Sequence, residues 1–239
     1  MTTRMSRRNF VTGCACCFGA ATATHMGMPM ALAADSKKTD LNPDQALELM
    51  KKGNAEFKTD APYRAAVDRD RRLAIARGQT PFAVLVSCSD SRVSPELLFG
   101  RGLGELFIVR NAGNTVDTTA LGSIEYAVGV LGVPLVVVLG HQRCGAVEAA
   151  MEVVIKNTTY PGSIGRMIEP IVPAVLQAQA KKPADLFYES VRTNVSRTVS
   201  RLRTGSEPML LDPLKSKTLR IVGATYSLDD GSVDFFDEA

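Results

Sequence analysis

The sequence predicts an α/β fold: a mostly parallel β-sheet flanked by helices, with an N-terminal helical arm and a C-terminal edge hairpin. Three observations predict it. Phe82–Ser87, Leu106–Val109 and Pro134–Leu139 are apolar runs of strand length without polar alternation, the pattern of strands covered on both faces. Apolar residues between and after them recur at helical spacing, so strand and helix alternate as in parallel sheets joined by crossovers. Near the end, Thr218–Ser227, an Asp-Asp-Gly turn at Asp229–Gly231 and Val233–Phe236 form a hairpin signal at a sheet edge.

The elements follow in order. Asn42-Pro43-Asp44-Gln45 starts a helix: Asn caps, Pro suits the first helical position, and Gln three residues after the cap reaches back to it. Leu47, Met50 and Phe57 mark one face of that helix, which runs to about Lys58. Arg69 to Arg77 reads as a second, short helix stopped by Gly78. After the first two strands, Leu121, Ile124, Val128 and Leu131 recur at helical spacing and Gly132 ends the helix. Beyond the third strand, helices are expected over about Cys144–Lys156 and Asp185–Arg203. A helix from Ser163 to Gln179 is expected to be kinked by Pro170 and Pro173. No repeat, low-complexity tract or linker divides the chain, so residues 35–239 are expected to form one domain.

Residues 1–34 read as an address. Ser6-Arg7-Arg8-Asn9-Phe10 opens a weakly apolar stretch that ends in Ala31-Leu32-Ala33, an A-x-A cleavage pattern. The twin arginine resembles a Tat-type signal peptide and implies a periplasmic location. Gly, Thr, His25 and Pro29 make the stretch too polar for a stable span, so no membrane anchor is expected once the signal is cleaved. The formal charge of +3 also resides here. Arg4, Arg7 and Arg8 stand in a stretch without acids, and without them the 28 basic residues fall level with the 25 acidic ones. A balanced domain lacks the basic excess of a nucleic-acid binder. With 239 residues and 45% apolar content, the chain is neither disordered nor a disulfide-stapled mini-domain.

Cleavage would also remove Cys14, Cys16, Cys17 and His25, leaving Cys88, Cys144 and His141 as the soft ligands of the mature chain. All three stand at the carboxyl ends of predicted strands, in Cys88-Ser89-Asp90-Ser91-Arg92 and His141-Gln142-Arg143-Cys144. Sites in parallel sheets form along that edge. Two thiolates and one imidazole suit zinc, and three protein ligands leave the fourth tetrahedral position open, as catalytic sites do. Gly140 and Gly145 flank the second cluster and would let the backbone bend tightly. Cys144 would lie in a first helical turn, where the dipole favours a thiolate. Singly, each residue has a plainer reading: a Cys after a buried strand is ordinarily an inert core residue, and H-x-x-C alone is weak. The rival for the pair, a Cys88–Cys144 disulfide or redox couple, leaves His141 and Asp90 without a role. Asp90 and Arg92 could form an ordinary ion pair. Beside a cation, a carboxylate held by Arg can instead accept a hydrogen bond from metal-bound water and orient the hydroxide that zinc makes available near neutral pH.

At these residues the sequence resembles the β-class carbonic anhydrases, over about Asn42 to Phe236. C-x-D-S-R and H-x-x-C stand intact at Cys88–Arg92 and His141–Cys144, and Glu105–Asn114 and Ile124–Val128 also look like family segments. The resemblance implies zinc held by Cys88, His141 and Cys144, with Asp90 a fourth ligand only in a closed form. It implies reversible hydration of CO2 to bicarbonate and a proton, with zinc-bound hydroxide attacking CO2 and the Asp90/Arg92 dyad orienting it. By position it implies substrate contacts from Gln79, usually supplied by the adjoining subunit, from Phe107 and Tyr126 as the apolar pocket wall, and from Gly145. Without the resemblance, Phe107 and Tyr126 would read as core residues. It implies a homodimer or homotetramer whose N-terminal helix wraps the neighbour. The alternatives are the same fold and metal acting on carbonyl sulfide or carbon disulfide, a zinc store without turnover, and a redox thiol protein.

Three expectations follow. Some family members close their site around a pocket containing a Trp three residues before the first Cys; here that residue is Leu85 and the chain has no Trp, so an open site with water as fourth ligand is expected. The mature chain has no His besides His141, so proton release is expected to depend on water and external buffer. Tat export of a folded chain would let zinc claim both thiolates before the periplasm could oxidise them.

Overall fold

A computed structural model describes residues 37–63 and 65–238. The leader expected over residues 1–34 lies outside the described residues. Five strands form one sheet in the order β2-β1-β3-β4-β5. β1 (Ala83–Ser87), β2 (Leu106–Arg110), β3 (Leu135–His141) and β4 (Arg220–Tyr226) run parallel, and β5 (Val233–Asp237) pairs antiparallel on the β4 edge as the expected hairpin.

Strand periodicity divides the core. On one face, Val84, Val86, Val136, Val138 and Ile221 meet α4 (Thr118–Glu125), α8 (Leu186–Thr204) and α9 (Pro208–Lys215). On the other, Leu85, Leu135, Val137, Leu139 and Val222 meet α1 (Pro43–Lys58) and α3 (Pro95–Leu98). Every residue of β1 and of β3 is buried, which is why both read as unbroken apolar runs. Leu85 is among them and lies in this core.

α1 starts as its sequence dictates: Asn42 accepts from the Gln45 amide and Gln45 accepts in return from the Asn42 amide. α2 (Arg69–Ile75) is two residues shorter than expected. α4 passes into a single wider turn, Tyr126–Val130, before Gly132 stops it at φ +70°. The kinked helix is two, α6 (Gly162–Ile168) and α7 (Val172–Ala180), joined by a tight turn at Glu169–Ile171 that contains Pro170. α5 (Gly145–Lys156) and α8 fall where periodicity puts them. No helix among the described residues is long and apolar enough to cross a membrane.

Candidate metal centre

β1 and β3 are neighbours, with Ser87 opposite Leu139, so their carboxyl ends bring Cys88 and His141 together. The structure corrects the sequence reading in detail here. His141 does not follow its strand but is its last residue. Cys144 is the N-cap of α5, in extended backbone, rather than part of its first turn; the amides of Ala146 and Val147 still face its sulfur. The tight bend comes from neither flanking glycine. Arg143 takes it, at φ +51°. Gly140 is needed for closeness instead: a Cβ there would stand 2.7 Å from Val195 of α8. At Gly145 a Cβ would meet nothing within 4 Å.

Among the described residues, Cys88, His141 and Cys144 are buried and their ligand atoms all lie within 4.8 Å of one another. The two sulfurs are 3.9 Å apart, whereas a disulfide bond is about 2.05 Å. Two zinc–sulfur bonds of about 2.3 Å at a tetrahedral angle would separate the sulfurs by about 3.8 Å. His141 Nδ1 lies 2.8 Å from the Gln142 carbonyl, which can only accept, so Nδ1 carries the proton and Nε2 is left a bare acceptor. That Nε2 is buried with no hydrogen-bond partner. Unpartnered buried acceptors are rare, and a cation at this point would satisfy it. The residues present therefore fit zinc.

The electrostatics agree. The Cys88 thiol is held below its ordinary range, first by its hydrogen bond with Cys144 and then by the Gly113 amide, against the opposing effect of burial. The Cys144 thiol is pushed up by the same contact, by burial and by the charge on Cys88. Two thiolates this close cannot both ionise in a dry site without a positive ion between them.

Asp90 and Arg92 form a bidentate pair, Nε to Oδ1 at 3.0 Å and Nη2 to Oδ2 at 2.7 Å, with the Arg92 amide adding a third bond to Oδ1. The Arg92 guanidinium first, then its amide, holds the Asp90 carboxyl far below the usual carboxylate range. Arg92 also donates to the Arg143 carbonyl, tying the β1 loop to the β3 loop. Asp90 Oδ2 stands 3.9 Å from His141 Nε2, at the rim of the triad.

The remaining predicted residues are not gathered here. Gln79 is exposed in the loop before β1, at the opposite end from Cys88 of a five-residue strand that spans about 17 Å. Phe107, the second residue of β2, packs on Tyr126 with ring centroids 6.4 Å apart, and Tyr126 is 44% exposed. Other residues emerge that sequence reasoning did not single out. Arg110 donates to the carbonyls of Cys88 (2.9 Å) and Asp90 (2.6 Å). The Gly113 amide donates to Cys88 Sγ at 3.3 Å, and Asn194 of α8 holds the Gly113 carbonyl at 2.9 Å. Two signals were available: position, since Arg110 ends β2 and Asn111–Asn114 follows it on the same sheet edge as the ligands, and the family-like stretch Glu105–Asn114.

Comparison with known proteins gives consistent matches. The sequence profile of a family described as carbonic anhydrase matches residues 83–233. Carbonic anhydrase 2 of Mycobacterium tuberculosis is 41% identical over 190 residues, covering 80% of this chain and 91% of that protein. Beta carbonic anhydrase 3 of Arabidopsis thaliana is 30% identical over 221 residues, 86% of this chain and 83% of that one. Among solved structures, the Coccomyxa β-carbonic anhydrase in complex with acetazolamide is similar at a TM-score of 0.63 and 27% identity, over 80% of this chain and 84% of that one. A tetrameric β-carbonic anhydrase from Sordaria macrospora has the same fold, with a TM-score of 0.63 at 23% identity over 69% of this chain and 84% of that one.

Proposed function

This chain belongs to the β-class carbonic anhydrases, and from that premise we propose how its side chains carry the reversible hydration of CO2 to bicarbonate and a proton. One observation carries the reading: a bare imidazole nitrogen and two sulfurs converge at the sheet edge beside a carboxylate locked by arginine. Cys88, His141 and Cys144 hold zinc. When bound, zinc supplies the Lewis acidity that brings the ionisation of water to about pH 7.

The protein's own groups do the rest. Arg92 fixes both oxygens of Asp90 and keeps the carboxylate ionised, so that Asp90 accepts a hydrogen bond from the attacking water and aims its oxygen at the carbon of CO2. The same Arg92 pair occupies both Asp90 oxygens, so Asp90 would be free to act as a zinc ligand only if that pair broke. Gln79, Phe107, Tyr126 and Gly145 line the substrate pocket, with Gln79, Phe107 and Tyr126 reaching the triad of a neighbouring subunit. Their separation from the triad within one chain and the exposure of Tyr126 support this, and it requires a homodimer or homotetramer. With His141 committed to zinc, the proton leaves through water and buffer. Residues 1–34 direct the folded, zinc-loaded chain to the periplasm through the Tat pathway, and rerouting it through an unfolded-export pathway should lower its zinc content.

Stopped-flow CO2 hydration on the purified chain, with and without a chelator, tests the whole. Chelation should abolish turnover and zinc should restore it. Asp90→Asn should retain zinc while losing about 10²–10⁴-fold in kcat. Full activity in either the chelated protein or Asp90→Asn would overturn the mechanism.

A further inference from the structure

A cavity of about 670 Å³ runs along the outer face of α8, between α7 and Phe236 of β5. Its floor repeats a Ser-Arg pair, Ser196-Arg197 and Ser200-Arg201, four residues apart, so hydroxyl follows hydroxyl and guanidinium follows guanidinium one turn on. Two more cations at the groove are already matched: Lys181 with Glu189 and Arg192 with Asp234, each at 2.6 Å. Arg197 and Arg201 are not. Among the described residues neither has a carboxylate within salt-bridge distance; Arg201 donates only to the neutral Val116 carbonyl. Among the described residues no hydrogen-bond partner is seen for the Arg197 side chain or for the hydroxyls of Ser196 and Ser200.

Singly the arginines are good helix formers, but their like-charge pairing and the two serines work against the helix that carries them. Like charges four residues apart repel, and serine is a weak helix former in a helix interior. Local choices that contradict their element are expected at functional or strained positions. Two guanidinium forks about one helical turn apart, with a hydroxyl donor beside each, match the geometry of a tetrahedral oxyanion. We propose that this groove binds a phosphate-class oxyanion between Arg197 and Arg201, with Ser196 and Ser200 as hydroxyl donors. The site is separate from the metal centre, uses none of its residues and does not depend on the zinc chemistry.

The phosphate could be a free solute or a phospholipid headgroup, and the experiment separates them. Inorganic phosphate is titrated into the zinc-loaded protein by calorimetry at constant ionic strength, and binding to phosphatidylglycerol vesicles is measured by co-sedimentation against phosphatidylcholine vesicles. Arg197→Gln is the decisive variant because Arg197 has no hydrogen bond or ion pair among the described residues to lose; Arg197→Gln/Arg201→Gln and Ser196→Ala/Ser200→Ala follow. CO2 hydration should be unchanged in Arg197→Gln, which reports that the fold is intact. Saturable phosphate binding weakened about tenfold or more by Arg197→Gln, about 1.4 kcal/mol, supports a free anion. Selective binding to the phosphatidylglycerol vesicles, lost in the same variant, supports the headgroup. Absence of both interactions, or phosphate binding that Arg197→Gln leaves intact, overturns the proposal.

Discussion

At the scale of single residues, the groups behind the ligands matter as much as the ligands. Arg110 grips the carbonyls of Cys88 and Asp90 from the next strand, so it sets the spacing between a zinc ligand and the dyad. Arg110→Ala should reduce zinc affinity by about 10–100-fold, the usual cost of removing a group that orients a ligand, measured by competition with a chelator. A second residue reports on the hairpin. The hydroxyl and amide of Ser232 lower the Asp230 carboxyl to about 2. A carboxyl lowered on folding adds stability above its unfolded value of about 3.9 and loses it as pH falls through about 2. The stability gap between wild type and Asp230→Ala should therefore be full above about pH 4 and narrow toward pH 2, as read by urea denaturation across that range.

At the scale of elements, helix α1 shows how closely the layers fit. A Cβ on Gly53 would stand 1.9 Å from the Phe99 carbonyl at the end of α3. Ala favours a helix over Gly by about 1 kcal/mol, but overpacking against backbone costs about 1–3 kcal/mol. Gly53→Ala should destabilise the fold on balance, by thermal denaturation. Sheet, hairpin, capped first helix and three ligands were all legible because each leaves a local mark: unbroken apolar runs, Asn-Pro-Asp-Gln, Asp-Asp-Gly, the last Cys and His. α9 leaves no such mark, since Pro213 sits inside it and its apolar stripe is one turn deep. The wide turn at Tyr126–Val130 continues an unbroken helical pattern and so leaves no mark of its own; within it, Gly129 lies against Met209 of α9. Arg110 and Asn194 were illegible as site residues because they act on backbone carbonyls of other elements, which no spacing encodes.

At the scale of the whole molecule, the residues proposed for the site lie apart within one chain. The triad lies at the carboxyl edge of the sheet, Gln79 at the amino end of β1, and Tyr126 turns outward. If neighbouring subunits complete one another, Gln79→Ala should lower kcat/KM with zinc content and assembly unchanged, and dilution below the dissociation constant measured by analytical ultracentrifugation should silence the wild type. The sheet also grades how the protein comes apart. β3 lies between β1 and β4 with all seven residues buried, and His141 is its final residue. Cys88, by contrast, opens a loop held by side chains. In hydrogen–deuterium exchange the β3 amides should be the last to take up deuterium, and the loop after Cys88 should exchange early. A departing ion would then let go of Cys88 first, while the imidazole stays seated until the sheet itself gives way.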